Sequence, residues 1–222
     1  MSTVKVVSLL SRAAVLLQDD DLVRWTALEL QDWLNDGYRE LVNIRPDANT
    51  LAAEHTCQAG ARQVLSFTDA VRLVSVSHNT ATSSNKHNVE LVTNRSLDSQ
   101  RRGWRAEAQT VSIEQYLFDP RTPKEFDVYP PASSAARLWV LYAAVPAPHT
   151  LSAEQLANPA TTETIRVDDA FANALLDYVL YRAYSIDGES GSGGKATAYY
   201  NTFRTSLGEK GQSEAASQPG VV

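Results

Sequence analysis

The sequence predicts an α+β protein, with N- and C-terminal helices forming an antiparallel helical bundle and a small, mostly antiparallel β region inserted between them. Three observations predict it. Apolar residues near both ends recur with helical period, the middle of the chain carries short β-branched and aromatic runs, and Pro/Ala/Thr-rich sequence separates that middle from the last helices. The expected division is residues 1–50 and 165–210 for the bundle and 51–150 for the β-rich region. Residues 151–164 are expected as a linker and 211–222 as an extended C-terminal arm.

The first helix carries Val6, Leu9, Leu10, Ala13, Leu16 and Leu17 on one stripe, with Lys5, Arg12 and Gln18 off it. Asp19, Asp20 and Asp21 follow. Three consecutive carboxylates point in different directions, so the expected role is capping, with Asp21 accepting backbone N–H groups at the start of the next helix. That helix is read through "LVRWTALELQDWLNDGYRELVNI". Leu30, Trp33, Leu34, Gly37, Tyr38 and Leu41 form its buried face, and Arg45-Pro46 ends it. A glycine inside a helix costs about 1 kcal/mol relative to alanine. Close helix packing at Gly37, against another helix or another chain, is the expected compensation.

From about residue 55 the period changes. "RQVLSF", "AVRLVSVSHN", "NVELVT", "VSIEQYLF", "EFDVYP" and "ARLWVLYAA" read as strands. The last is apolar on both faces, which predicts a central strand covered on both sides. Pro130 cannot donate to a ladder and is expected at a strand end. "SLDSQRRGW" predicts a helical turn. Arg101 and Arg102 beside Trp104 could stack on a nucleic acid base, but in an acidic chain a solvated surface or local ion pairs are the expected role.

After the linker, Asp168 is expected as a helix cap. Phe171, Ala174, Leu175, Tyr178, Val179 and Arg182 form one stripe; Ala196, Tyr199, Tyr200, Phe203 and Leu207 form a second that can pack on it. Asp177, Arg182 and Asp187 are expected to make local pairs. Between the stripes lies "GESGSGGK", which looks like a phosphate cradle and fails its spacing. Glu189 stands where the first glycine belongs and Ala196 where a metal-binding hydroxyl belongs, so a flexible, solvent-exposed connection is expected.

Composition narrows the function. A net charge of −6 argues against a general nucleic-acid binder. The single cysteine, Cys57, rules out an internal disulfide framework and fits a protein made in a cytoplasm; it is expected as a small buried hydrophobe. No apolar run has membrane-spanning length. His55, His78, His87 and His149 share no metal-ligand spacing, and neither a nucleophile elbow nor a dinucleotide fingerprint occurs. The expectation is no catalytic residue, no cofactor and no metal.

One set of pieces carries a family pattern: Trp25, Leu30, "WLNDGYREL" at 33–41, Arg45-Pro46, "GARQ" at 60–63, "DPRTPKEFDVYPP" at 119–131, "LLDYVLYRAYSID" at 175–187 and "AYYNTF" at 198–203. In this order they resemble the head-to-tail adaptor proteins of tailed bacteriophages, most of all the tail tubular A-like, or gateway, connectors of short-tailed phages. The resemblance implies a structural virion protein, made in the host bacterial cytoplasm. It implies a ring homo-oligomer of about twelve copies closed by repeated contacts, bound to the portal protein on one side and the tail nozzle protein on the other, with tail fibres as a further partner. Genome DNA would pass through without sequence-specific binding, and no membrane is involved. The alternatives are head completion, tail-fibre docking, or a non-enzymatic binding module. The expected contact with the portal or a neighbouring subunit is the terminal group Gln218, Pro219, Val221 and Val222, the part of the arm with apolar reach.

Overall fold

A computed structural model describes residues 2–81, 87–187 and 192–217, with side chains as far as residue 208. The described residues form six α-helices and two β-sheets, an α+β fold. They divide into two compact units, Met1–Ala48 with Pro146–Val222, and Asn49–Val145.

In the helical unit, α1 (Val6–Leu17) buries Val6, Val7, Leu9, Leu10, Ala13 and Ala14. Leu16, expected on that face, is exposed, because the buried stripe runs through Ala14 and the helix ends in left-handed Gln18. The next turn is organised by Asp19. Its carboxylate accepts the backbone N–H groups of Val23, Arg24 and Trp25 at 2.8–3.0 Å. Asp21 therefore does not cap α2 (Ala27–Ile44). Thr26 does, in a reciprocal box: its Oγ1 accepts the Glu29 N–H, and the Glu29 carboxylate accepts the Thr26 N–H at 2.9 Å. All six residues expected on the buried face of α2 are buried, and Arg45 is its C-cap.

The segment expected as a linker carries α3 and its flanks (Ala153–Ala157 for the helix itself), with a second capping box, Ser152 and Gln155. Its Leu151 and Leu156 lie in the same hydrophobic core as α1, α2, α4 (Ala172–Ile186) and α5 (Ser192–Ser217). Asp168 accepts the Ala170 N–H at 2.8 Å, capping the 3-10 turn that leads into α4. Gly193 and Gly194 lie in the first turn of α5; residues 188–191 of the expected connection lie outside the described residues. The same helix runs through 211–217, where an extended arm was expected. Once a helix is nucleated, each further residue adds a hydrogen bond, and the Glu and Ala of this stretch extend it readily.

In the second unit, β1 (Thr50–Thr56), β3 (Ala70–Asn79) and β7 (Arg137–Ala144) form an antiparallel sheet with β7 in the middle. β2 (Gly60–Val64), β6 (Glu125–Ala132), β5 (Gln115–Phe118) and β4 (Glu90–Leu91) form the other sheet in that order, antiparallel except for β4 with β5. The core of this unit is built on Leu73, Val76, Ile113, Val128, Leu138 and Val140. β7 is central as expected; one face is buried throughout, while on the other Ala143 is buried, Leu141 half-buried and Trp139 36% exposed. Pro130 lies within β6, not at its end. The register of β2 shifts between Gly60 and Arg62 opposite this stretch, so no ladder bond is demanded of the prolines, and the Pro131 carbonyl instead accepts from Thr110. The helical turn expected in "SLDSQRRGW" is a seven-residue helix, Asn94–Gln100.

Candidate interaction surfaces

Each piece of sequence in the family-like pattern has a packing duty. In "WLNDGYREL" a Cβ placed on Gly37 would lie 3.1 Å from Tyr178 Cδ1 and 3.3 Å from Leu175 Cδ2, both on α4. Arg45 is buried; its guanidinium pairs with Asp47 and donates to the Leu207 carbonyl of α5 at 2.9 Å. In "GARQ" the buried Gln63 amide accepts from Gln58 N–H and donates to the Gln58 and Gly60 carbonyls, folding the turn before β2. In "DPRTP" Asp119 accepts the Arg121 N–H at 3.0 Å and shapes the turn from β5 to β6. In "AYYNTF" Tyr200 bonds Glu40 at 2.9 Å and Phe203 packs edge-on to Tyr178.

A polar clasp runs along α2 at helical spacing. Gln31 exchanges two hydrogen bonds with the Leu151 backbone, and Asn35 exchanges two with the His149 backbone. Tyr38 completes it. Its hydroxyl accepts the Arg166 N–H at 3.2 Å and meets His149 Nε2 at 2.9 Å, while His149 Nδ1 meets the Glu163 carboxylate. With the backbone N–H already donated to Tyr38, its O–H is left to donate to Nε2, which places the ring proton on Nδ1, toward Glu163. A hydroxyl, an imidazole and a carboxylate in line have the layout of a nucleophile, base and orienter. Burial, however, pushes the Tyr38 hydroxyl above its ordinary pKa and pulls His149 below its own, against the opposing pull of Glu163. The three groups instead fix the segment 149–166 to α2. A second clasp lies beside it, where Asp169 accepts from Ser2, Thr3 and Val4; these hydrogen bonds hold its carboxyl well below the usual range.

The other residues singled out in the sequence are placed as follows. Cys57 is buried and free, and burial pushes its thiol up to about 12. His55 is buried against Phe126 and Phe67, and neither ring nitrogen has a hydrogen-bond partner among the described residues. Trp104 is 1% exposed and donates to Asp98, while the Arg105 guanidinium covers its ring at 4.2 Å. It offers no face to a base. Lys195 sits 5.0 Å over the Tyr184 ring, not in a phosphate cradle. Arg182 reaches Asp36 at 3.8 Å and Asp187 meets Arg24, so these charges join α4 to distant sequence, while Asp187 also accepts from Ser192 Oγ at 2.9 Å. Among the described residues no three His, Cys, Asp or Glu side chains gather to hold a metal, and no helix is long and apolar enough to cross a membrane. Gln218, Pro219, Val221 and Val222 lie outside the described residues.

An apolar groove of about 210 Å³ opens between Val7, Leu10, Ala14, Leu22 and Leu30, and Val23 near it is 82% exposed. The profile of the SU10 adaptor protein family matches residues 4–222, which is almost the whole chain. The chain belongs to the SU10 adaptor protein family. It is thus a phage structural adaptor, a virion component that interacts with other head and tail proteins. Such adaptors are typically non-enzymatic. No curated protein matches the chain.

The polar clasp was missed in the sequence. Gln31, Asn35 and Tyr38 stand at i, i+4 and i+7, with Tyr38 on the stripe read as buried and Gln31 and Asn35 beside it, and polar residues on a buried helical face need partners.

Proposed function

We propose that this adaptor forms a ring between the portal and the tail of a short-tailed phage, through which the genome passes. The observation that carries the reading is the family match over residues 4–222, with the connector-like pieces in their order along the chain. The terminal helices are read as an antiparallel bundle, packed side by side with neighbouring copies in a ring of about twelve. One side meets the portal protein and the other the tail nozzle protein, with tail fibres as a further partner. The net charge of −6 on each copy supports passage of DNA without retention, because an acidic wall repels phosphate and offers no counterion release. The terminal residues Gln218, Pro219, Val221 and Val222 are read as the portal contact, beyond the last described turn of α5.

The test is reconstitution. Purified chain is mixed with portal rings of the same phage, and the product is sedimented and imaged by electron microscopy. A ring of adaptor stacked on the portal, open at its centre, is the expected result. Binding only to completed tail fibres, with none to portal, would replace the reading with a fibre-docking role.

A further inference from the structure

Four sheet edges are present among the described residues, and three of them are protected. β3 has register shifts at three places, and its outer side is bonded by the segment 87–89, with Asn79 N–H to the His87 carbonyl and Val89 N–H to the Ser77 carbonyl. β4 has two residues. β2 has a register shift, and its charged Arg62 pairs with Glu125 and Asp127. These are the devices by which proteins keep edges from pairing. β1 has one charged side chain, Glu54, and none of the interruptions that break up the other edges. It pairs with β7 without interruption from Thr50 to Thr56, and it contains no proline, no lysine and no bulge.

The direction of its backbone groups follows from one bond. Cys57 N–H donates to the Ala136 carbonyl, so position 57 belongs to the set bonded to β7. In an antiparallel ladder that set alternates, so Leu51, Ala53 and His55 point their N–H and C=O groups at β7. Thr50, Ala52, Glu54 and Thr56 point theirs away. No other described group bonds them, and all four side chains are exposed on one face. Beside them on β7, in register, half-buried Leu141 stands opposite Ala52 and Trp139, 36% exposed, opposite Glu54.

We propose that β1 is a strand-addition site: an extended segment of a partner virion protein pairs along Thr50–Thr56 and becomes the fourth strand of this sheet. Main-chain hydrogen bonds to four outward residues supply the attachment, and side chains supply the choice. Glu54 is the one charged side chain on the open edge, so the incoming strand carries Lys or Arg beside it. Its flanking residues on that face are β-branched, to pair beside Thr50, Ala52 and Thr56. The inference rests on the adaptor reading only for the source of the strand.

Amide hydrogen exchange on the full chain tests it, alone and mixed separately with purified portal rings and with purified tail protein of the same phage. Alone, the amides of Leu51, Ala53 and His55 exchange slowly and those of Thr50, Ala52, Glu54 and Thr56 quickly. In one of the two mixtures the second set slows. Ala52→Pro, which removes an outward donor, weakens that complex by about tenfold or more, and Glu54→Lys weakens it while leaving the melting temperature of the free chain in place. If the complexes form and the four outward amides stay fast, the edge is not used and the proposal fails, although the adaptor reading stands. Failure to bind either protein overturns both. Slowing in the chain alone at high concentration assigns the edge to a second copy, and slowing that vanishes on deletion of residues 218–222 assigns it to the chain's own terminus; each overturns the partner strand.

Discussion

Gly37→Leu is the most direct test of how the helical unit is packed. A Cβ at this position would stand 3.1 Å from Tyr178 Cδ1 and 3.3 Å from Leu175 Cδ2, where relaxed carbon contacts are about 3.5–4.0 Å. The neighbours have little freedom to withdraw. Tyr178 is 7% exposed, with its ring edge-on to Tyr181 at 5.6 Å and to Phe203 at 5.3 Å, and Leu175 is fully buried. Two effects oppose each other in Gly37→Ala: the helix gains about 1 kcal/mol of propensity, and one methyl must be accommodated by a shift of a few tenths of an ångström. The variant should stay within about 1 kcal/mol of the wild type. Gly37→Leu gains nearly the same propensity but adds three more carbons toward a filled space. Overpacking of about 3 kcal/mol, the upper part of the usual range, leaves a net loss of about 2 kcal/mol. At about 4 °C per kcal/mol, the helical unit should melt about 8 °C lower by calorimetry. An unchanged midpoint for Gly37→Leu would show that α2 and α4 separate there without cost, and the close approach would have no energetic weight.

Three further outcomes are expected. Thr26→Ala removes the capping box of α2 and should cost about 1 kcal/mol, with faster hydrogen exchange at the Glu29 amide; unchanged exchange would disprove the cap. His55 and His149 both have their pKa lowered by burial, so below the ordinary value of 6.5 the unfolded chain binds more protons than the folded one. Stability in urea should therefore be flat above that pH and fall as pH drops below it, with part of the slope lost in His55→Phe; equal stability at pH 8 and pH 5 contradicts this. Cys57, with its thiol pushed up to about 12 by burial, should react with a thiol reagent at pH 8 only after the second unit unfolds, and rapid reaction of the native chain would refute that.

The helices legible in the sequence were those with one strong period. The buried faces of α2 and α4 could be read directly, because burial on one side imposes spacing on the residues. The strand Ala70–Asn79 was legible by its β-branched composition, since its register shifts bury every third residue, Ala70, Leu73, Val76 and Asn79. What escaped was set by single hydrogen bonds. The start of α2 depended on which of several capping residues wins, and Thr26 wins because Glu29 lies at the position that completes its box, while Asp19 is drawn into the preceding turn. The same box at Ser152 and Gln155 was concealed by prolines and threonines that look like a linker. β1 was missed because its exposed residues, "TLAAEHT", do not alternate in polarity: an edge strand half in water has little reason to.

The interaction surfaces were less legible than the fold for a related reason. A catalytic site leaves residue types at fixed spacings, because a reaction demands particular groups; a docking surface demands shape and unpaired backbone, and the backbone is the same at every residue. The β1 edge illustrates this. Nothing in "TLAAEHT" distinguishes it until the pairing partner, the parity of its hydrogen bonds and the protection of the other three edges are known together. The polar clasp of Gln31, Asn35 and Tyr38 stands between these extremes. Its side chains are visible in the sequence, yet their partners are the backbone at His149 and Leu151, more than a hundred residues away. Within the helical unit such backbone-directed bonds fix a distant segment to α2, and the proposed β1 edge would use the same kind of bond toward another protein.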